Sequence, residues 1–294
     1  MTPSHHSALR CGRLFCFGLG FTGARFARAL RAEGWQVSGT SRDEIMLNRL
    51  RKDGITGGSL EAAAIPRGTS HMLSTIPPGA MGDPVLLDYR EAIAAAKGLA
   101  WIGYLSTTGV YGDRGGEMVN EHDMPSPGNV RSRRRRAAEE AWRGFGRRHG
   151  VAVQIFRLAG IYGPGRSALD AVRAGTAKRI DKPEHLFSRI HVDDIVATLM
   201  ASMAYPRAGA VYNVCDDEAA APADVTLHAC KLLGIEPPPM EPFDADAMSP
   251  MARSFWAENR RVSNALIKHE LGVTLRYPDY RAGLKAILVE EEAK

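Results

Sequence analysis

The chain of 294 residues is long enough to bury a large core, as one large domain or two of ordinary size. Its hydrophobic fraction of 45% argues against disorder, and its longest apolar run, residues 195–205, is too short to span a bilayer. The net charge of +5 is local, because residues 131–148 carry eight arginines against two glutamates, which weakens the prediction of an extended nucleic-acid surface.

The cysteines carry no signature of a metal site or a disulfide. Cys11, Cys16, Cys215 and Cys230 form no C-x-x-C pair and have no ligand-like histidine spacing. The apolar run after Arg10 lacks a clear signal-peptide cleavage site. We therefore expect reduced thiols, no metal, a cytoplasmic location and no membrane contact.

The first predicted strand, Leu14–Phe17, leads directly into a glycine-rich turn and a helix. Three glycines follow it with the spacing G-x-G-x-x-G. Such a turn lets a pyrophosphate lie against bare backbone N–H groups at a helix N-terminus. A second strand follows, which makes this otherwise weak motif specific for a dinucleotide. The expected contacts in the turn are Gly18, Gly20, Phe21, Thr22 and Gly23.

The second predicted strand ends in Thr40, Ser41 and Arg42, where NAD-binding proteins carry an acidic residue. A guanidinium there suits the 2′-phosphate of NADP. Asp43 follows immediately, so NAD remains the alternative cofactor and a solvated arginine the alternative role. We expect NADP in preference to NAD, with Ser41 and Arg42 among its contacts.

Apolar strand-like runs alternate with helical patterns after a flexible tail at residues 1–12. Because these runs are short and unalternating, they predict a parallel sheet covered by helices on both faces, a doubly wound α/β fold. The predicted strands are Leu14–Phe17, Gln36–Thr40, a short one near Ile55, His71–Ile76, Trp101–Ser106, Ala152–Leu158 and Val211–Val214. Ligands bind at the carboxyl ends of such strands, which adds Ser74, Thr75, Leu158 and Ala159 as expected cofactor contacts.

The amino-acid pattern changes near residue 217, and from there on proline-rich segments separate short predicted helices. We expect a dinucleotide-binding domain of residues 13–165 and about 188–216. A smaller substrate lobe would comprise about 166–187 and 217–294. A helix is expected over Ile195–Met203, with Asp193 and Asp194 capping its N-terminus.

Four later segments accompany the glycine turn. They read Leu-Ser-Thr-Thr-Gly-Val-Tyr-Gly at 105–112, Phe-Arg-Leu-Ala-Gly-Ile-Tyr-Gly-Pro-Gly at 156–165, Arg-Ile-His-Val-Asp-Asp-Ile at 189–195 and Tyr-Asn-Val-Cys-Asp-Asp at 212–217. The set resembles the extended short-chain dehydrogenase/reductase superfamily, and within it the NAD-dependent epimerase/dehydratase family. The resemblance implies a Rossmann fold, hydride transfer at a nicotinamide, and homodimerisation through helices beside the sheet.

Members of this family surround their substrate with a Ser or Thr and a Tyr-x-x-x-Lys pair. Thr107 matches the Ser/Thr position, and its hydroxyl is suited to donate to a developing oxyanion. Ser106 is a second candidate for that role. Tyr111 is the nearest alternative proton donor, although a tyrosine packed at a strand end is the competing interpretation.

The Tyr-x-x-x-Lys pair itself is missing from the segment that should contain it. Depending on a one-residue shift, its places are taken by Arg131 and Arg135 or by Ser132 and Arg136. An arginine does not relay protons at neutral pH, and loss of a positioned acid/base costs about 10²- to 10⁴-fold in rate. The chain therefore resembles the atypical branch of the superfamily, which lacks the pair.

Arginines mark the expected substrate side. Arg166 and Arg189 are candidates to bind a phosphate or carboxylate, with idle surface arginines as the alternative. The run at 131–136 has three interpretations: a solvated helix face, a contact to the cofactor or an anionic substrate, or a nucleic-acid patch. Trp142 and Phe145 have the spacing of a packed helix, which disfavours the patch.

Together these features predict an NADP-dependent oxidoreductase or epimerase acting on a polar metabolite, nucleotide-linked compounds included, with Thr107 polarising an oxygen. One alternative is a protein that senses NADP(H) without turnover, since the glycine turn stands beside a missing catalytic pair. Nucleic-acid binding through Arg131–Arg136 is another. A dehydratase is disfavoured, because Thr108 and Gly109 replace the acidic pair that dehydratases carry after the threonine.

Overall fold

The structure, a computed structural model, describes residues 11–293. The tail predicted at residues 1–12 lies outside this range except for its last two residues. Strands and helices alternate along the described chain. Within residues 11–293, no helix has both the length and the apolar character needed to cross a bilayer.

The described elements are numbered in chain order. The strands are β1 (Arg13–Phe17), β2 (Gln36–Thr40), β3 (Thr56–Gly58), β4 (His71–Ser74), β5 (Trp101–Thr107), β6 (Met118–Val119), β7 (Ala152–Leu158), β8 (Gly160–Tyr162), β9 (Arg179–Asp181), β10 (Arg189–His191), β11 (Val211–Val214), β12 (Met240–Pro242) and β13 (Arg261–Val262). The helices are α1 (Phe21–Ala32), α2 (Glu44–Lys52), α3 (Pro84–Asp88), α4 (Arg90–Ala95), α5 (Val130–His149), α6 (Ala168–Arg173), α7 (Val192–Ala204), α8 (Pro222–Leu233), α9 (Pro250–Trp256), α10 (Ala265–Leu271) and α11 (Tyr280–Glu292), and a 3₁₀ turn covers Thr108–Tyr111.

Seven strands form one parallel sheet in the order β11-β7-β5-β4-β1-β2-β3. The order reverses between β1 and β4, because the chain runs outward from β1 to β3 and then crosses to the other side. Ligands of doubly wound sheets bind at such a reversal, outside the carboxyl ends of the strands. The seven predicted strands are all present, and the predicted fold class is confirmed.

Both faces of the sheet are buried, as β1 illustrates. Leu14 and Cys16 pack into one core cluster with α1 and α7, whereas Phe15 and Phe17 pack into another with α3, α4 and α5. Successive side chains of a strand point to opposite faces, so every position of β1 needs an apolar residue. This burial explains the short apolar runs without alternation.

Two strand ends differ from the prediction. β4 ends at Ser74 rather than Ile76, because Thr75 bends toward the glycine turn and its hydroxyl donates to the carbonyl oxygen of Gly18 at 2.7 Å. β5 extends by one residue to Thr107, which still pairs with β7.

The N-terminus of α7 also differs from the prediction. The cap is His191, whose Nδ1 accepts a hydrogen bond from the N–H of Asp193 at 3.2 Å. The prediction that Asp193 and Asp194 cap this helix is therefore wrong. The Asp193 carboxylate pairs instead with Arg25, and that of Asp194 accepts from the backbone N–H groups of residues 276–277.

A third hydrophobic cluster joins α6, α8 and α11 and is separate from the two clusters on the sheet. Leu169, Ala229 and Leu284 are among its buried members. Short parallel strand pairs, β8 with β10, β9 with β12 and β6 with β13, complete the fold. The three helices lie within the predicted substrate lobe, and the division into a dinucleotide domain and a lobe stays a prediction.

Candidate functional site

The three glycines of the turn between β1 and α1 have different surroundings. Gly18 has a φ of +102°, a conformation that other residues rarely adopt. A Cβ at Gly23 would lie 2.2 Å from the carbonyl oxygen of Gly18, so the packing of helix on strand requires glycine there. A Cβ at Gly20 would meet no atom of the described residues within 4 Å. Packing does not demand glycine at this position, and the space beside it is open to a ligand.

The N-terminus of α1 has the features of an anion site. Gly20 is its N-cap, no side chain caps the helix, and its first turn contains no acidic residue. The N–H groups of a first helical turn have no partners within the helix, and the helix dipole adds partial positive charge. A phosphate is a fitting partner for such an end.

A cleft of about 500 Å³ opens beside the turn, where β1, β2 and β4 end. We call it the glycine-turn cleft, and it lies at the reversal of the strand order. Five predicted cofactor contacts line it: Gly18, Gly20, Ser41, Arg42 and Thr75. The other lining residues are Leu19, Thr40, Asp43, Leu60, Glu61, Ile76 and Pro77.

Arg42 lies exposed at this cleft and makes no hydrogen bond or ion pair with any residue from 11 to 293. The neighbouring carboxylate is engaged elsewhere, because Asp43 accepts a hydrogen bond from the N–H of Met46 at 3.0 Å and caps α2. The guanidinium at the end of β2 is therefore free to bind an anion.

Other predicted contacts lie around the turn. Phe21 is in the first turn of α1, with its ring centroid 5.5 Å from Cζ of Arg166, and Thr22 is buried beside it. Ser74 is buried at the end of β4, and its hydroxyl oxygen has no hydrogen-bond partner in the described part of the chain. Of the two residues predicted there, Thr75 is the one that reaches the glycine-turn cleft.

A second cavity, of about 450 Å³, contains Thr107, and we call it the Thr107 cavity. Leu158 and Ala159, which were predicted as cofactor contacts, line it together with Phe255 and Trp256 at the end of α9. The remaining lining residues are Thr108, Gly109, Asn129, Arg131, Ser132, Gly160, Ile161, Tyr162, Leu186, Phe187, Ser188, Arg189, Pro222, Ser254, Glu258, Arg260 and Val262.

Two hydroxyl groups face each other across Gly109 in this cavity. A Cβ at Gly109 would lie 2.9 Å from Ser132 Oγ and 3.3 Å from Thr107 Oγ1. Thr107 Oγ1 accepts a hydrogen bond from the N–H of Gly109 at 3.1 Å, which fixes the oxygen and leaves its proton for a ligand. Both hydroxyl oxygens therefore lie close to the same point of the cavity wall.

The other two candidate catalytic residues belong to a buried network. Ser106 donates to the carboxylate of Glu139, which pairs with Arg157 at 2.7 Å. Tyr111 donates to Asn213 at 2.8 Å and accepts from Arg157 at 3.0 Å. Burial raises the pKa of Tyr111. Both hydroxyls are engaged inside the protein, and these bonds agree with the structural interpretation of Tyr111.

The contacts of α5 favour one of the two registers considered for the family's Tyr-x-x-x-Lys pair. Arg135 turns inward, and its Nη1 donates to the carbonyl oxygen of Leu105 at 2.7 Å. Arg136 instead pairs with Glu140 and donates to the carbonyl oxygen of Pro125 at 2.6 Å. Arg135 therefore stands at the lysine position beside the sheet, which puts Arg131, four residues earlier, at the tyrosine position.

The two arginines predicted on the substrate side are separated. Arg189 lines both the Thr107 cavity and a neighbouring cavity of about 410 Å³. Arg166 lines the neighbouring cavity but not the Thr107 cavity. The cavities share the side chain of Tyr162 as a wall. Burial raises the pKa of Tyr162, so this phenol is a poor acid at neutral pH.

Comparison with known proteins places this geometry in a family. A model of the NAD-dependent epimerase/dehydratase family matches residues 90–215, the stretch that contains Thr107, α5 and β7. The chain belongs to this family. It is an atypical member, because Arg131 and Arg135 stand where the family's Tyr-x-x-x-Lys pair is expected.

Relatives cover almost the whole chain. Protein YeeZ of Escherichia coli (strain K12) is 26% identical over 277 residues, 89% of this chain and 95% of YeeZ. A functionally unknown conserved protein from Silicibacter pomeroyi DSS is 45% identical with a TM-score of 0.90, covering 95% of this chain and 99% of its own. UDP-glucuronic acid 4-epimerase from Bacillus cereus, solved with UDP-glucuronic acid and NAD, shares the fold at 14% identity and a TM-score of 0.77, covering 96% and 100%.

The wall formed by residues 254–262 was missed in the sequence analysis. Phe255, Trp256, Glu258 and Arg260 lie in a short helix and the loop after it, more than 100 residues beyond α5. No motif marks them, because their place in the cavity depends on tertiary packing of α9. An aromatic pair beside a charged pair was the only local signal.

Proposed function

We propose that the protein binds NAD(P), with NADP preferred, and acts as an oxidoreductase or epimerase on a small polar metabolite held in the Thr107 cavity. The observation that carries the proposal is the open space at Gly20. A glycine that packing does not require, at an uncapped helix N-terminus, is what a pyrophosphate needs.

The residues present fit a dinucleotide. The N–H groups at the start of α1 would hold the pyrophosphate, with Gly20 leaving room for it. Ser41 and Arg42 would hold the ribose phosphate, because both line the glycine-turn cleft and Arg42 has a free guanidinium. Leu158 and Ala159 would face the nicotinamide end. When bound, the cofactor supplies a hydride donor or acceptor.

The chain itself would orient the substrate. Thr107 and Ser132 donate to its reacting oxygen, and hydrogen bonds aimed at developing charge are a major source of catalysis. Arg131 holds its proton at neutral pH and so does not replace the tyrosine as a proton relay. We therefore propose slow turnover, with water as the proton source. The polar substrate of the 4-epimerase neighbour, a nucleotide-linked sugar acid, supports a nucleotide-linked compound among the candidates.

Calorimetric titration with NAD, NADH, NADP and NADPH tests the proposal. We expect binding of the phosphorylated pair to exceed that of the other pair. Arg42→Gln should remove this preference, whereas Arg49→Gln, an exposed arginine on α2, should leave it unchanged. A charge-assisted hydrogen bond is worth about 1.5–3 kcal/mol, so the loss should be about tenfold or more. Absence of binding by all four would overturn the proposal.

Non-catalytic sensing of NADP(H) is the second candidate function. It is favoured by the contacts of Arg135, whose Nη1 is engaged with Leu105 and with the hydroxyl of Tyr104 at 3.0 Å. Incubation of the NADPH complex with panels of carbonyl compounds and sugar nucleotides separates the two. Oxidation of NADPH that Thr107→Val abolishes supports the enzyme; tight binding with no oxidation by any compound supports the sensor.

Three expectations about the whole protein stay predictions. Homodimerisation and a cytoplasmic location rest on the family resemblance and composition. Nucleic-acid binding through residues 131–136 is disfavoured by the inward orientation of Arg135, and salt-insensitive or undetectable binding would remove it.

A further inference from the structure

The Thr107 cavity is lined by more positive than negative side chains. Arg131, Arg189 and Arg260 line it, and Glu258 is the acidic residue among its described lining residues. Charges of one sign within a cavity of low polarity favour a ligand of the opposite sign. Which arginine is available to that ligand follows from the contacts each one makes.

Arg260 is already neutralised. Its Nη1 donates to Glu258 at 2.8 Å and to the carbonyl oxygen of Gly112 at 2.9 Å. The other carboxylate oxygen of Glu258 accepts from the amide of Asn129 at 3.0 Å. Arg260 and Glu258 thus neutralise each other on the cavity wall, and neither is free to bind a charged group of a substrate.

Arg189 has a structural role as well. Its Nη1 donates to the carbonyl oxygens of Phe187 at 2.7 Å and Ala220 at 2.9 Å. Asp216 opposes the effect of burial by its negative charge, and the pKa of Arg189 is still lowered by that burial. These two bonds commit the guanidinium to the backbone at residues 187 and 220.

Arg131 is different. Its guanidinium makes no hydrogen bond or ion pair with residues 11–293, and Cζ lies 4.8 Å from the ring centroid of Phe255. A guanidinium stacked on an aromatic ring keeps its in-plane N–H groups free. It lies in the first turn of α5, next to Ser132, where the helix dipole adds further positive potential.

We infer that Arg131, at the position of the missing tyrosine, binds an anionic group of the substrate, a carboxylate or a phosphate, beside the hydroxyls of Thr107 and Ser132. The inference deepens the proposed function, on which it rests for the reaction but not for the binding. The family's proton relay is replaced by an anion-recognition residue. The substrate class is therefore a metabolite with its oxyanion close to the reacting oxygen, since both must fit one cavity of about 450 Å³.

Tryptophan fluorescence reports on this cavity directly. Trp256 lines it, whereas Trp35, Trp101 and Trp142 are fully buried in the sheet clusters. Malonate serves as the carboxylate probe, inorganic phosphate as the phosphate probe and glucose as the neutral control. We expect a saturable change in fluorescence with at least one anion and none with glucose. The anion that binds more tightly shows whether the site prefers a carboxylate or a phosphate.

Arg131→Gln should weaken anion binding about tenfold or more, the loss expected for a charge-assisted contact. Arg131→Lys should retain part of the anion affinity, because the positive charge remains but the bidentate hydrogen bonding of a guanidinium is lost. The matched control is Arg134→Gln, which removes the same charge from an exposed position of α5 outside the cavity. It should bind like the original protein.

Equal affinity in the original protein and Arg131→Gln would overturn the inference, as would the absence of any anion-induced change. Binding of glucose with the same affinity would also overturn it. NADPH titration of the same variants separates this result from the proposed function. If the anions bind through Arg131 while NADPH does not bind, the proposed function fails and this inference stands; if NADPH binds and the anions do not, the reverse holds.

Discussion

Arg135 donates a hydrogen bond from Nη1 to the carbonyl oxygen of Leu105 at 2.7 Å. This bond joins α5 to the strand that ends at Thr107, so it sets the distance between the helix and the site. Arginine at this position holds the helix beside the strand. For Arg131, four residues earlier, we propose recognition of the substrate.

Arg135→Leu should lower the free energy of unfolding by about 1–3 kcal/mol, because the carbonyl oxygen of Leu105 loses a partner in a half-buried place. Arg134→Leu, on the exposed side of the same helix, should change it by no more than about 0.5 kcal/mol. Urea unfolding of both variants measures the difference. Equal losses would contradict the inward role of Arg135.

The buried pair of Glu139 and Arg157, with side chains 4% and 6% exposed, should behave differently from a surface pair. Arg157→Met alone should cost about 3–5 kcal/mol, because it leaves a buried carboxylate without its partner. Adding Glu139→Leu should recover part of this loss. The control is Arg28→Met, which breaks a pair with Asp53 that is about 40% exposed and should cost at most about 1 kcal/mol. Denaturant unfolding of the original protein, Arg157→Met, Glu139→Leu, the double variant and Arg28→Met checks the order; a double variant that loses the full sum of both singles would contradict it.

Alanine should destabilise the protein much more at Gly23 than at Gly20. Gly23→Ala places a Cβ 2.2 Å from the carbonyl oxygen of Gly18 and should lower stability by at least about 1–3 kcal/mol, the cost of overpacking. Gly20→Ala adds a Cβ to open space and should cost less than about 1 kcal/mol, the difference between residues at an N-cap. Thermal unfolding without ligand measures both, and a larger loss at Gly20 would refute the assignment.

The contribution of Asp216 to stability should fall as pH rises through the range in which its carboxyl group titrates. Both carboxylate oxygens of Asp216 lack a hydrogen-bond partner in the described structure, and burial raises its pKa from 3.8 to about 8. Between these values the carboxyl group loses its proton in the unfolded chain and keeps it in the folded chain, so this group makes the free energy of unfolding decrease with rising pH. His71, His185 and His191, whose pKa burial lowers to about 4, act in the opposite direction. The difference between the profiles of the original protein and Asp216→Asn isolates the carboxyl group, and the original protein should lose stability relative to the variant as pH rises.

The control for that profile is Asp88→Asn, at an exposed aspartate in α3, which should leave it unchanged. Unfolding midpoints measured at intervals from about pH 4 to about pH 8 compare the three proteins. If Asp216→Asn keeps the slope of the original protein across that window, the assignment is wrong.

The features that the sequence predicted correctly depend on local patterns. Seven apolar runs gave seven strands, because each parallel strand needs apolar residues on both faces over a few consecutive positions. The turn at Gly18 was also predictable, since the spacing of its glycines reflects contacts within six residues. Local patterning suffices wherever the partners are close in the chain.

The unpredicted features depend on distant partners. The choice between Arg135 and Arg136 is a one-residue shift on α5, which only the contact with Leu105 decides. Ser106 has a motif position, yet its hydroxyl is engaged by Glu139, 33 residues away. His191 caps α7, while the carboxylate of Asp194 accepts hydrogen bonds from the backbone N–H groups of residues 276–277. Such competition for hydrogen bonds leaves no trace in a local pattern.

Titration of NADPH into the original protein and Gly20→Ala, followed by calorimetry, tests whether the glycine turn binds a dinucleotide. We expect saturable binding to the original protein and a loss of about tenfold or more in the variant, whose added methyl group lies where the pyrophosphate must approach. Because a Cβ at Gly20 meets no described atom within 4 Å, we expect the variant to keep its fold, and thermal unfolding of the free protein checks that the loss is specific to the ligand. Equal affinity in the two proteins, or no binding to either, would contradict the assignment of the glycine turn as a dinucleotide site.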